Sequence, residues 1–460
     1  MLQRWCIAAG CDTVRGALLI LVLLAGGLFP APAPAQDNPS TSPDGGIHLG
    51  VASCASSNCH GAREPLGTSS VRQDEYSIWS QETDPHRIDE HHRAYTVLLE
   101  DRALRIAHNL GLPDAASASL CLDCHADNAA ADRRGPEFRL ADGVGCEACH
   151  GAAEGWLGQH LTGAGHKADL AAGLYPTEQP VPRAELCLSC HLGDRKRVMT
   201  HRIMGAGHPP LPFELDTFTA TEPAHYVVDK RYVGRKGTEN GVQVWAAGQA
   251  ISVVKRMDAI LDPENTPHGL NLELVLFDCN ACHHSSYEPR WRSQPAAGLG
   301  PGAIRLYDAN LVMLQVIAAR IAPADAASLR AHLLALHRAT LEDWSAVQRE
   351  AAELRATALR LVPLLAGHDF TREDIAALAA AVMTVVVNGE DVELSGAEQA
   401  AMALESIIAA MRSLGYLTND TMTAIDNALD KVDEALAGAT GYRPEPFMQA
   451  IGSLRNSIPQ

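Results

Sequence analysis

Residues 121–150 read CLDCHADNAAADRRGPEFRLADGVGCEACH, and the two Cys-x-x-Cys-His strings that open and close this stretch decide how the rest of the chain is read. They supply Cys121, Cys124, His125, Cys146, Cys149 and His150. The same grammar returns as CLSCH at Cys187, Cys190 and His191, and as CNACH at Cys279, Cys282 and His283. A wider version, CASSNCH, gives Cys54, Cys59 and His60. Ten cysteines thus fall into five pairs, each followed at once by histidine.

Covalent haem attachment needs this pattern. Two thiols add across the vinyl groups of a porphyrin, and the next histidine is carried beneath the iron as proximal ligand. A disulfide framework would leave the repeated histidine unexplained. Zinc knuckles pair their Cys-x-x-Cys units without needing it. Five covalently bound haem c groups are expected, with His60, His125, His150, His191 and His283 on the metal.

The two cysteines outside the motifs, Cys6 and Cys11, lie in an amino-terminal stretch of another kind. There Arg4 and Arg15 precede the apolar run Gly16 to Leu28, and APAPAQ follows. This reads as an export signal over residues 1–35, cut after Ala35, because the run is too short to span a bilayer comfortably. The expected location is the periplasm, with no stable membrane span after cleavage. The remaining chain carries 35 basic against 54 acidic residues, a charge of −19. Such an excess repels a phosphate backbone and excludes nucleic acid as a partner. A hydrophobic fraction of 47% excludes a disordered chain.

The expected fold class is mainly α, in two parts. Residues 36–46 are a polar lead-in, and residues 47–295 form a pentahaem cytochrome c domain with little regular structure, folded around porphyrins in place of an ordinary aliphatic core. Residues 296–304 belong to a Gly/Pro-rich linker. From residue 305 to 460 apolar residues recur at spacings of three and four, which predicts an all-α helical domain without attachment motifs. Thr371 with Glu373, and Ser395, mark helix starts there, and Gly415 and Gly438 mark stops. His332, His337 and His368 read as ordinary helix residues.

Five proximal histidines leave 15 others, enough to give many of the irons a second imidazole. The stretch CLDCH, then GVGCEACHG at Gly143 to Gly151, then His160, resembles the cytochrome c-554 family, tetrahaem proteins that take electrons from hydroxylamine oxidoreductase. Trp79 and HHRAY at His91 to Tyr95 are similar to that family's segment after its first haem. The resemblance covers roughly residues 50 to 210. It implies that His160 is the distal ligand of the first haem (His60) and His91 that of the third (His150), with His92 and His86 as alternatives. It also implies a five-coordinate second haem at His125. HRIMGAGHPPLPFEL offers His201 and His208 as distal ligands of the fourth and fifth haems, in an order left open. The wider first motif, the fifth haem and the helical tail depart from the family.

Two functions of different class follow. The first is an electron carrier working between redox proteins of the periplasm through mostly bis-histidine haems. The second is a redox enzyme acting on a small nitrogen compound at an open haem, like a nitrite reductase or hydroxylamine oxidoreductase; the Cys-x-x-Cys-Lys string typical of pentahaem nitrite reductases does not occur. A structural role, with the helical domain as a homo-oligomer surface, is the third reading.

Overall fold

The computed structural model describes residues 46–458, apart from 68–71, 81–88, 198, 238–239, 268–271, 284–296, 301–302 and 438–441. The proposed signal, residues 296, 301 and 302 of the linker, His86 and Gly438 therefore lie outside the described residues. The fold is mainly α: the described residues form helices and no strand, with isolated bridges between His48 and Arg134 and between Phe277 and Leu306.

Two kinds of packing follow each other along the chain. Up to about residue 210 the helices are short, as in Glu75–Trp79, Cys146–His150 and His201–Gly205. Their buried apolar groups form small clusters, one of Leu98, Ala107, Ala115, Leu122 and Ala126, another of Leu110, Ile203 and Ala206. Clusters of this size bury too little aliphatic surface to hold such a length of chain unaided. Large flat apolar cofactors would supply the missing interior.

Beyond that point one continuous aliphatic core takes over, and it starts earlier than the hydrophobic periodicity placed it. Gly241–Leu261, inside the stretch assigned to haem binding, is the central helix. It packs against Trp344–Ala366, Ala309–Ile321 and Leu394–Ser413, and also against Pro180–His191, which carries the fourth motif. Its sequence, GVQVWAAGQAISVVKRMDAIL, is apolar on nearly all sides, and Val242, Trp245, Ala246, Ala247, Ala250, Val253 and Met257 are fully buried. A helix surrounded by others shows no polar stripe, so no amphipathic period marked it.

The carboxy-terminal helices start much as their caps dictate. Thr371 opens Arg372–Val387 with a capping box, although the reciprocal partner is Asp374 and not Glu373. Ser395 lies just inside Leu394–Ser413, where its hydroxyl donates to Asp278 instead of capping. Gly415, with φ +71°, follows the end of that helix.

Candidate haem-binding site

The Cys-x-x-Cys-His strings fold as single helical turns, which bring positions 1, 4 and 5 onto one face. Ser119–His125, Cys146–His150 and Pro180–His191 all end on the motif histidine. In the fifth motif the His283 amide donates to the Cys279 carbonyl at 2.7 Å, the same turn in isolation. The wider first motif reaches an equivalent shape differently: its loop folds inward through Cys59 N–H to Ser56 O, and the His60 amide then donates to the Cys54 carbonyl at 3.1 Å. Two extra residues are absorbed without moving the histidine away from its first cysteine.

Each motif histidine faces a second imidazole. The ring centres of His60 and His160 stand 6.0 Å apart, those of His125 and His208 6.2 Å, and those of His150 and His225 6.3 Å. His191 faces His91 at 6.2 Å, and His283 faces His201 at 6.0 Å. Two rings hydrogen-bonded nitrogen to nitrogen would close to about 5 Å. An iron with an imidazole nitrogen at about 2 Å on either side holds the ring centres about 6 Å apart. The residues present therefore fit five bis-imidazole haems.

The pairings correct part of the sequence expectation. His160 lies opposite His60, as the resemblance implied, and His201 opposite His283. His91 was assigned to His150 but faces His191. Its backbone does touch the third motif, since Val144 N–H donates to the His91 carbonyl at 3.0 Å. Gly143, with φ +70°, makes that approach feasible, because a Cβ there would sit 2.8 Å from the same oxygen. Proximity in the chain's path thus differs from the direction of the ring. Of the alternatives, His92 packs edge-on against Trp79 with ring centres 4.4 Å apart.

His208 was assigned to the fourth or fifth haem and instead faces His125, whose distal side was expected to be open. After the short helix His201–Gly205 the chain turns at Gly207, φ +118°. Arg102 donates to the Gly207 carbonyl at 2.9 Å and Asn109 to the Ala206 carbonyl at 3.0 Å, which pins this turn to Asp101–Leu110 and brings His208 across. His225, opposite His150, was not singled out at all. It sits in the irregular segment TEPAHYV, where no local pattern distinguishes it.

Hydrogen bonds and close carboxylates fix which nitrogen five of these rings can offer a metal. Nδ1 of His60 bonds Glu75 at 2.9 Å, and Nδ1 of His160 bonds Asp169 at 3.3 Å. Nδ1 of His125 bonds the Ala94 carbonyl and Nδ1 of His208 the Pro209 carbonyl, both at 2.8 Å. Nδ1 of His91 lies 3.2 Å from Asp89 and 3.3 Å from Glu222. In each case Nε2 remains for the iron. Burial pushes His150 down to about 3 and His191 down to about 4, keeping both rings in the neutral, ligating form. By contrast His337 and His368 direct Nε2 at Asp308 and Asp374, and His332 pairs with Glu350.

The motifs are themselves in contact. The Cys54 and Cys146 side chains lie side by side, and the Cys190 thiol donates to the carbonyl of Asp123, inside the second motif, at 3.8 Å. Cys149, driven upward chiefly by burial, is pushed further by nearby Cys187. This gives a spatial order of first, third, fourth and second motif. Glu147, inside CEACH, holds the array to the amino-terminal segment by accepting from the amides of Leu49, Gly50 and Ala153 at 2.8, 2.6 and 2.7 Å.

A family model described as cytochrome c554 and c-prime matches residues 53–151, the segment with the first three motifs. That segment is cytochrome c-554-like, and it carries covalent haem c and electron transfer as its chemistry. No curated protein and no solved structure matches the chain. Among the described residues, no helix is long and apolar enough to cross a membrane.

Proposed function

We propose that the chain is an exported, periplasmic pentahaem cytochrome that relays single electrons between redox proteins. The observation that carries this reading is the set of five histidine pairs with ring centres 6.0 to 6.3 Å apart. Haem c bound there supplies one-electron chemistry at a six-coordinate iron. The protein's part is to hold ten thiols for attachment, to aim ten imidazoles, and to set the motifs side by side.

The contacts between motifs support a relay. Motifs in contact would hold their haems edge to edge, so that a run from the first motif through the third and fourth to the second would let an electron pass by short steps. The fifth motif joins through His201, seven residues before His208 on the same turn of chain. A catalyst for a small nitrogen compound needs an iron with an open axial position, and His208 opposite His125 weighs against it at the site where the resemblance implied one.

Five covalent haems are expected from ten motif cysteines. Intact mass after acid-acetone extraction tests the number: the polypeptide should carry five porphyrins, and Cys54→Ala should disturb the first attachment alone. A mass with four porphyrins in the parent protein would remove the wide motif from the set.

A further inference from the structure

The groups behind the imidazoles differ in a graded way among the first, fourth and second sites. At the first site both rings are backed by carboxylates, His60 by Glu75 at 2.9 Å and His160 by Asp169 at 3.3 Å. At the fourth site one ring is so backed, His91 by Asp89 and Glu222. At the second site both rings are backed by neutral backbone carbonyls, those of Ala94 and Pro209. A carboxylate draws the Nδ1 proton toward itself, which makes Nε2 a stronger donor and adds negative charge near the metal. Both effects favour the ferric state and lower the reduction potential. A carbonyl does this much more weakly.

Resting on the bis-histidine reading above, we propose that Glu75 and Asp169 are positioning residues that make the first site the low-potential end of an internal gradient. The potential rises through the fourth site to the second. An electron passing along it leaves one iron oxidised and another reduced, with no bond or proton exchanged. The first motif is held against the third through Glu147 and the fourth against the second through Cys190 and Asp123, which makes the gradient directional.

The ring planes supply an independent label. They are nearly parallel at the first site (22°) and the fifth (27°), and crossed at the second (77°), third (89°) and fourth (88°). Parallel rings donate into the same iron orbital and split the pair that governs g-anisotropy, giving a rhombic low-spin spectrum. Crossed rings leave that pair nearly degenerate, giving a single very large g value.

The experiment is a potentiometric titration of the full-length holoprotein followed by electron paramagnetic resonance. In the parent protein the component of lowest potential should be rhombic, and the second site should titrate above both the first and the fourth. Glu75→Gln keeps the shape and removes the charge; it should raise that lowest rhombic component and leave the remaining ones in place, and Asp169→Asn should act on the same component in the same direction. If the iron stays low-spin and neither variant moves it, or if the lowest component has the crossed-ring spectrum, the gradient is refuted while the bis-histidine reading stands. High-spin iron in the parent protein would instead overturn the reading beneath it.

Discussion

A histidine serves as an axial ligand when its backbone is fixed and its other nitrogen is engaged elsewhere. Residue by residue, half of this arrangement is legible in the sequence. Cysteine pairs and proximal histidines are, because covalent attachment requires them within one turn of chain. Distal partners are set by how separate segments pack. His160 follows from the resemblance and His201 is one of two candidates for the fourth and fifth haems, but His91 lies beside one motif in backbone and beside another in side chain. His225 has no local pattern in its favour, and only the fold brings its ring opposite His150. Its role is directly testable. His225→Ala should convert one haem of five from low-spin to high-spin and add a ligand-binding iron, with the covalent haem content unchanged; an unaltered spectrum would mean that the His150 iron takes its second ligand elsewhere.

At the scale of elements, local chemistry read correctly where caps and turns act, as at Thr371 and Gly415, and failed where burial is complete. Gly241–Leu261 looked like part of a coil-rich haem region because a helix buried on all sides loses its periodic signature. Ser395 looked like a cap because nothing in sequence reveals Asp278 as its partner. The short helix Leu215–Thr221, which leads out of the second haem-ligand segment, has its own dependence on acid. Its cap, Glu214, is 2% exposed and accepts from the amides of Asp216 and Thr217 at 2.9 and 2.7 Å. Burial nevertheless pushes its carboxyl up to about 7. The folded state then binds a proton that the unfolded state has released, so stability falls as pH rises from the ordinary glutamate value near 4.5 to about 7. The contribution amounts to roughly 3 kcal/mol across that window. Chemical denaturation at pH 5 and pH 8 should register the decline, and Glu214→Gln should remove its share, leaving that of Asp391 and Glu398, which burial also pushes up to about 7.

Taken as a whole molecule, the helical bundle and the haem region are joined through shared interior and not merely tethered by a linker. Pro180–His191 presents the fourth motif at its end while Ala184 and Leu188 enter the bundle core. The fifth motif hangs on the bundle in turn. Asp278 N–H donates to the Arg305 carbonyl at 3.0 Å, and Arg305 is buried between Asp308 and Asp391. The bundle therefore acts as a frame that fixes the fourth and fifth sites, while the first three rest on short helices clamped by groups such as Glu147. The central claim is that every iron held in this frame is closed by two imidazoles. It is tested most directly by adding carbon monoxide to the fully reduced holoprotein while recording the visible spectrum, alongside a resonance spectrum of the oxidised form. The account predicts no spectral change with carbon monoxide and no high-spin signal. A high-spin haem that binds carbon monoxide, above all one abolished by His125→Ala and unaffected by His208→Ala, would contradict it.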